Sequence, residues 1–405
     1  MKNLLWIVHA GLGQRGSLGA PTFWKTVEGF LADGWKIWMI DAGTGLDTPV
    51  GVETWDDGLY IQRFQAPMIR LFRVRKLGTL IGPLRQWLIM RRLHREAERL
   101  IRREGLDRDN TVLYAHEVTA VLPGKKLSRR YGFPMVTRFY GVWDIMGQKD
   151  TPLNRLRLFP KFEAYETPAD LVIITDDGTK GDELMGRMGN RSPFVFWRNG
   201  VDELKISGET PSFVDRLAPD DRILMTLSRL HPDKKVDRAI RVLAQVLPRI
   251  PKAKLVVCGY GLEKDNLEKL AVELGVADSV IFVGRVDHDR IADYLSRADV
   301  FLSLWEVSNL GNPLFEAMRC GRAIVTLDVG ITGTVIHHGE NGLLIPPGDL
   351  APVADAVCKL LEQPALAEKL GTGARRYASE HFWTWEERVA AEIRAVNDLL
   401  AKGEK

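Results

Sequence analysis

Short, almost wholly apolar runs recur along the chain, separated by longer stretches in which apolar residues return every three or four positions. Leu4–Val8, Lys36–Asp41, Thr111–Ala115, Met135–Phe139, Leu171–Thr175 and Val195–Trp197 are of the first kind. Strands buried on both faces read this way, and the intervening stretches read as helices. Pro21 to Asp33 is one such helix, with Gly34 placed to end it. After Asp202 the rhythm restarts. Ile223–Leu227, Lys254–Cys258, Val280–Phe282, Val300–Leu304 and Ala323–Thr326 are predicted strands, and helices are predicted over 237–247, 263–274, 289–298, 350–361 and 364–378. The polar stretch Lys205–Asp221 reads as a linker. Strand–helix alternation of this length predicts an α/β chain of two doubly wound domains, 1–203 and 204–380. A last helix, 381–405, is expected to pack back on the first. The default ligand site is the crevice outside the carboxyl ends of the strands, in the cleft between the domains.

The densest chemistry lies between Val300 and Gly348. A strand runs into the small-residue loop Ser308-Asn309-Leu310-Gly311-Asn312, and Pro313 sits where a first helical turn tolerates proline. A loop of this kind at a helix start is an anion site, and Glu316 lies beside it as either a functional carboxylate or a surface residue. Arg229 and Lys234, five apart after a strand, are either two surface cations or a pair turned to one crevice. Together with a helix N-terminus they would stabilise a departing diphosphate without a metal. His116, at the end of a strand, either projects into the crevice or packs. Gly11-Leu-Gly13-Gln-Arg-Gly16 matches a bare G-x-G-x-x-G without a suitably spaced acid, so a ligand loop and a tight turn stay open. Asp107-Arg-Asp109 and Asp287-His-Asp289 read as capping acids rather than metal ligands.

With 405 residues the chain exceeds one ordinary core. No apolar run approaches the ~20 residues of a membrane span, and the start passes into a glycine loop with no cleavage site. The three cysteines, Cys258, Cys320 and Cys358, suit a reducing cytoplasm rather than a disulfide frame or a metal site. The net charge of +3 divides into +8 for residues 1–200 and −5 for 201–405. Much of the excess lies in 68–105, where Arg73, Arg75, Arg91 and Arg92 are interleaved with Phe72, Leu77 and Trp87. This reads as a basic amphipathic helix on an anionic membrane surface, or else as ordinary surface helices. Large aliphatics between the arginines and the lack of a recognition module argue against nucleic acid.

The second half resembles retaining glycosyltransferase family 4, enzymes of the GT-B fold. The likeness rests on Asn199-Gly200-Val201-Asp202, SRLHPDKKVD, VVCGYG, FVGRV, NPLFEAMRCGRAIVT and ENGLLIPPGD, in the family's order over nearly two hundred residues. It implies two Rossmann-like domains facing a central cleft, with a nucleotide-sugar donor on the C-terminal one. Arg229 and Lys234 would meet the diphosphate, Glu316 the ribose hydroxyls, the backbone around Gly284 and Arg285 the base. Ser308, Asn309, Leu310, Gly311 and Asn312 would meet the sugar and phosphate.

In the first half the likeness is weaker. His116 resembles the family's sugar-contacting histidine and the loop around Gly16 its phosphate and acceptor loop. Tyr140-Gly141 stands where relatives commonly carry His-Gly. Ser308 occupies the place of the first of two glutamates eight apart, and Thr334 another acidic position. The implied activity is metal-independent, cofactor-free transfer of a sugar, with retention, from a nucleoside diphosphate to a glycan or lipid-linked acceptor. Cell-surface polysaccharide or glycolipid assembly, in the cytoplasm or at the inner membrane face, is the expected setting. A nucleotide-sugar epimerase and a non-catalytic binder are the alternatives.

Overall fold

The computed structural model describes residues 2–9, 21–43, 50–67 and 75–403. It divides into two compact units, Met1–Arg198 with Trp385–Lys405, and Asn199–Thr384.

The first unit contains, in chain order, β1 (Asn3–Val8), α1 (Pro21–Ala32), β2 (Lys36–Gly43), β3 (Gly51–Thr54), β4 (Leu59–Gln65), α2 (Arg75–Glu104), β5 (Thr111–His116), α3 (Val118–Tyr131), β6 (Met135–Phe139), α4 (Pro152–Arg157), α5 (Lys161–Glu166), β7 (Leu171–Thr175), α6 (Gly181–Arg187) and β8 (Phe194–Trp197). Its sheet has the order β3-β4-β2-β1-β5-β6-β7-β8, and β3 alone of these strands runs antiparallel. Strand order reverses at β1, whose Val8 lies between Asp41 and His116. Alternate residues feed two cores. Leu113 and Ala115 of β5 face α2 and α3, whereas Val112 and Tyr114 face α1 and the last helix.

Val389, Ile393 and Val396 form one stripe of that last helix and pack on Trp6, Phe23 and Phe30. Gly29 permits the approach, since a Cβ there would lie 2.1 Å from a Val389 methyl. Beneath the stripe, Glu392 accepts hydrogen bonds from the Tyr114 hydroxyl and, at 2.8 Å, from Arg388, with Arg138 3.9 Å away. Burial would raise the Glu392 pKa, but the two guanidinium groups outweigh it and hold the carboxyl below its ordinary range.

The second unit contains β9 (Arg222–Leu227), α7 (Val236–Val246), β10 (Ala253–Cys258), α8 (Lys264–Glu273), β11 (Val280–Gly284), α9 (Ile291–Leu295), β12 (Val300–Ser303), α10 (Asn312–Arg319), β13 (Ala323–Leu327), β14 (Leu343–Ile345), α11 (Ala351–Glu362) and α12 (Pro364–His381). The last helix of the chain, in the first unit, is α13 (Trp385–Gly403). The second unit's sheet is parallel throughout, in the order β11-β10-β9-β12-β13-β14. Apolar cores lie on both faces.

Two expectations change. The stretch 205–221 is not a free linker but part of the second unit. Phe213 is buried against Tyr294, and the Asp293 carboxylate accepts from the Ser207 amide and hydroxyl, both at 2.7 Å. In α2, Ile89, Leu93, Ala97, Leu100 and Ile101 face the core, so most of its apolar stripe is already used inside the protein. Trp87, Arg91 and Arg92 remain exposed, with Arg91 5.4 Å from the Trp87 ring and Arg92 4.4 Å from Phe64. Arg75 opens the helix, and Arg73 lies outside the described residues. Among the described residues no helix is long and apolar enough to cross a membrane.

Candidate active site

The carboxyl edge of the second sheet brings four loops together. The loop after β9 carries Arg229 and Lys234, the latter in a single 3-10 turn, Pro232–Lys234. The loop after β10 packs directly onto it. The Leu230 amide donates to the Tyr260 carbonyl at 2.9 Å, and a Cβ on Gly259 would lie 1.8 Å from the Ser228 carbonyl oxygen. Gly259 adopts φ 151°, which L side chains rarely do, so backbone closeness and conformation both require glycine here. The loop after β11 touches the second through Arg285, whose guanidinium lies 5.6 Å from the Tyr260 ring. Gly284, at φ 81°, turns the chain there, and its carbonyl accepts from the Gly259 amide at 2.7 Å.

The fourth loop runs from β12 into α10. Lys234 Nζ sits 3.6 Å from the centre of the Trp305 ring, a cation–π contact 71 positions away in sequence, and 3.4 Å from Asp233 Oδ2. Trp305 was not singled out by its sequence context. An aromatic two residues past the end of β12, at the edge where ligands bind, is the signal that marks it. Arg238 of α7 donates to the Leu304 carbonyl at 3.0 Å, and Lys235 pairs with Glu306 at 3.1 Å. Glu306 is thus tied back to the first loop. Arg229 is exposed and forms no ion pair among the described residues.

Within the loop 308–312 the side chains mostly serve the loop itself. Asn309 is fully buried. Its Oδ1 accepts from the Ser303 hydroxyl at 2.9 Å and the Trp305 amide at 3.0 Å, and its Nδ2 donates to the Leu327 carbonyl at 3.3 Å. It therefore pins the loop to β12 and β13 instead of offering an amide to a ligand. Leu310 is buried, and the Ser308 hydroxyl accepts from the Leu310 amide at 3.2 Å. The Gly311 amide donates to the Asn309 carbonyl, which leaves Asn312 as the first-turn amide of α10 without a partner among the described residues. Asn312 Oδ1 accepts from Asn199 Nδ2 at 3.1 Å. The Glu316 side chain is 5% exposed, and its Oε1 lies 3.2 Å from His288 Nε2 on the turn beyond β11. His288 is a partner that spacing did not reveal. Of the residues expected to meet a donor, Arg229, Lys234, Gly284, Arg285, Asn312 and Glu316 lie on this one rim. Ser308, Asn309 and Leu310 are buried supports beneath it, and Gly311 is the half-buried N-cap of α10.

In the first unit His116 takes the packed alternative. It is 1% exposed, boxed by Phe23 at 5.1 Å, Trp6 at 5.9 Å and Tyr140 at 4.8 Å. Neither ring nitrogen has a hydrogen-bond partner among the described residues. The reason is strand parity: His116 shares the face of Val112 and Tyr114, which the helices α1 and α13 cover. Burial, and then the Arg138 charge, hold its pKa far below the ordinary histidine value, so the ring is neutral.

The next residue, Glu117, is the one at this edge with unusual chemistry. It has φ 66° and ψ 164°, and its carboxylate accepts the Tyr140 amide at 2.8 Å. Burial, with Asp144 and Asp177 nearby, raises its pKa to about 7 against the opposing effects of that hydrogen bond and Arg138. Strained backbone and a displaced carboxyl pKa make Glu117 a candidate functional residue. Tyr140 lies under the Arg138 guanidinium at 4.7 Å, and Gly141 has no room for a Cβ, which would lie 2.2 Å from the Asp177 carboxylate. Gly16 and its loop lie outside the described residues.

Comparison with known proteins places this edge in a family. Residues 209–377 match the family described as Glycosyl transferases group 1. The chain is 33% identical over 313 residues to D-inositol 3-phosphate glycosyltransferase 2 of Catenulispora acidiphila, covering 72% of each chain. In fold it is similar to sucrose-phosphate synthase from Thermosynechococcus elongatus, with TM-score 0.76, 21% identity, and 99% and 100% of the two chains covered. It is also similar to HepE of Anabaena in complex with UDP and glucose, with TM-score 0.70, 19% identity, and 98% and 100% covered. The chain belongs to the group 1 glycosyltransferases and carries their GT-B fold.

Proposed function

We propose that this glycosyltransferase moves a sugar, with retention of anomeric configuration and without a metal, from a nucleoside-diphosphate sugar to a glycan or lipid-linked acceptor. The observation that carries the reading is the single rim at the carboxyl edge of the second sheet. There Arg229, Lys234 and the α10 N-terminus present positive charge from two touching loops. A diphosphate leaving as its glycosidic bond breaks would be stabilised by these groups, each contributing roughly the 2.7–4 kcal/mol of one oxyanion donor in a dry site. Lys234 is held in place by Trp305, so its ammonium is already oriented when the donor arrives. Glu316, steadied by His288, is the acceptor for the ribose hydroxyls.

In this mechanism the acceptor hydroxyl attacks from the face the diphosphate leaves. The departing phosphate oxygen takes the acceptor proton, so no enzymic nucleophile is required. The reading that the donor carries UDP and a hexose gains support from HepE, whose complex holds UDP and glucose. The lipid-linked or membrane-surface acceptor, at the inner face of the membrane, is supported by the +8 charge of residues 1–200 and the exposed cations of α2 and α3.

The test is turnover with UDP-, GDP- and ADP-sugars and a panel of glycan and polyprenyl- or phospholipid-linked acceptors, with and without EDTA. The anomeric proton of the product is read by NMR. Retention, undiminished by EDTA, is expected. Inversion would refute the mechanism, and donor binding without any turnover would favour the non-catalytic reading that Ser308 raises.

A further inference from the structure

On the first unit α2 and α3 bound a groove of about 570 Å³. That volume is within the ~300–1,000 Å³ of small-ligand sites. Its floor is apolar, formed by Met90, Leu122, Pro123 and Phe159, and its rim carries Arg91, Lys125, Lys126 and Arg129.

Charge compensation distinguishes these four cations from most of their neighbours. On the same two helices Arg92 and Arg99 pair with Glu96, and Arg102 and Arg130 pair with Glu98. Around the groove no carboxylate is among the lining residues, and none of the four rim cations forms an ion pair among the described residues. Four positive charges left beside an apolar slot match a molecule with an anionic head and a hydrocarbon chain.

The surroundings point the same way. Trp87, at the groove, is 46% exposed, and Leu84, one turn earlier on α2, is 52% exposed. The short helix α4 packs on α2 and leads into Phe159, yet it has no buried residue of its own. Its Leu153 and Leu156 are 74% and 65% exposed. Large apolar side chains left in water beside a cationic groove are the composition of a membrane-interface surface.

We infer that the α2–α3 groove is a binding site for an anionic phospholipid of the bilayer, its phosphodiester held by Arg91, Lys125, Lys126 and Arg129 and one acyl chain laid along the groove floor. This rests on the membrane-surface part of the proposed function and gives it an address. α2 does not lie on the bilayer by its apolar stripe, which the core occupies. It meets the bilayer through the side where α3 and α4 flank it. Bound lipid at this position would hold the enzyme where a lipid-linked acceptor is presented.

The test uses the full chain with dihexanoyl phosphatidylglycerol and dihexanoyl phosphatidylcholine below their micelle concentrations, read by native mass spectrometry. Flotation with vesicles of phosphatidylcholine, with and without phosphatidylglycerol, accompanies it. One phosphatidylglycerol per chain is expected, with no phosphatidylcholine adduct. The exposed pair Lys126→Glu and Arg129→Glu should weaken vesicle binding at least about twenty-fivefold, from about fivefold per cation. Arg99→Glu with Arg103→Glu changes the charge equally on the paired side of α2 and should leave binding within a few-fold of wild type. Equal losses in the two double variants, or no preference for the anionic lipid, would overturn the groove assignment. UDP-induced stabilisation of the second unit is measured on the same samples, so failure of the donor reading is seen separately.

Discussion

Replacing Glu117 by Gln tests the chemistry of the first unit's carboxyl edge. In the folded protein its carboxyl titrates near 7, against an ordinary value of 4.5. Burial is the main cause. A displacement of about 2.5 units corresponds to about 3.4 kcal/mol at 1.36 kcal/mol per unit. The sign follows from proton counting. Between pH 4.5 and 7 the folded state holds a proton that the unfolded chain has released, so stability falls as pH rises through this window. Below pH 4.5 both states are protonated and there is no penalty. Above pH 7 the penalty is complete.

Gln keeps a carbonyl oxygen to accept the Tyr140 amide and the same φ of 66°, so it removes ionisation and little else. The variant should match the wild type at pH 4.5 and exceed it by about 3 kcal/mol at pH 8. Urea unfolding followed by tryptophan fluorescence reports it, because only Trp305 and Trp383 of the eleven tryptophans lie in the second unit. Parallel pH profiles for wild type and variant would show that Glu117 is ionised in the folded protein and would refute the reasoning.

Two further substitutions probe other links. Glu392→Ala removes the carboxylate between Arg388 and Arg138 and leaves two buried guanidinium groups uncompensated. A loss of about 3–5 kcal/mol from the first unit is expected in the same urea assay, and a change below 1 kcal/mol would contradict a buried ionic clamp on α13. Gly259→Ala forces a methyl to 1.8 Å from the Ser228 carbonyl and demands a φ of 151°. It should cost the second unit at least the roughly 1–3 kcal/mol of a forced backbone conformation and displace the Arg229–Lys234 loop. The check is a lower Tm together with lost UDP stabilisation.

Much of this architecture is legible in the sequence because buried parallel strands announce themselves as apolar runs. Leu4–Val8, Thr111–Ala115 and Ile223–Leu227 needed no tertiary information. β3 escaped because Gly51–Thr54 is mostly exposed and polar, an edge strand with no apolar signature. The stretch 205–221 looked like a linker because its one deep anchor, Phe213, stands among polar residues, and the acid that orders its start, Asp293, is more than seventy positions away.

At the donor edge the cations and the helix start could be read from spacing, whereas their support could not. Lys234 rests on Trp305 and Glu316 on His288 through contacts made only when separate loops meet. The function of Asn309 is hidden for the same reason: an amide in a small-residue loop looks like a ligand contact until β13 supplies its partner. The choice at His116 between crevice and packing is decided by parity, since nothing near it in sequence tells that α13 covers that face of the sheet.

The proposed transfer requires a nucleoside-diphosphate site at the carboxyl edge of the second sheet, and thermal stabilisation by UDP, GDP, ADP and TDP tests it most directly. At a hundredfold excess over Kd, one nucleotide should stabilise the wild type by about 2.7 kcal/mol. Lys234→Ala and Arg229→Ala should each abolish most of that gain while leaving the ligand-free Tm within a few degrees. No stabilisation by any of the four, or stabilisation that survives both substitutions, would contradict it.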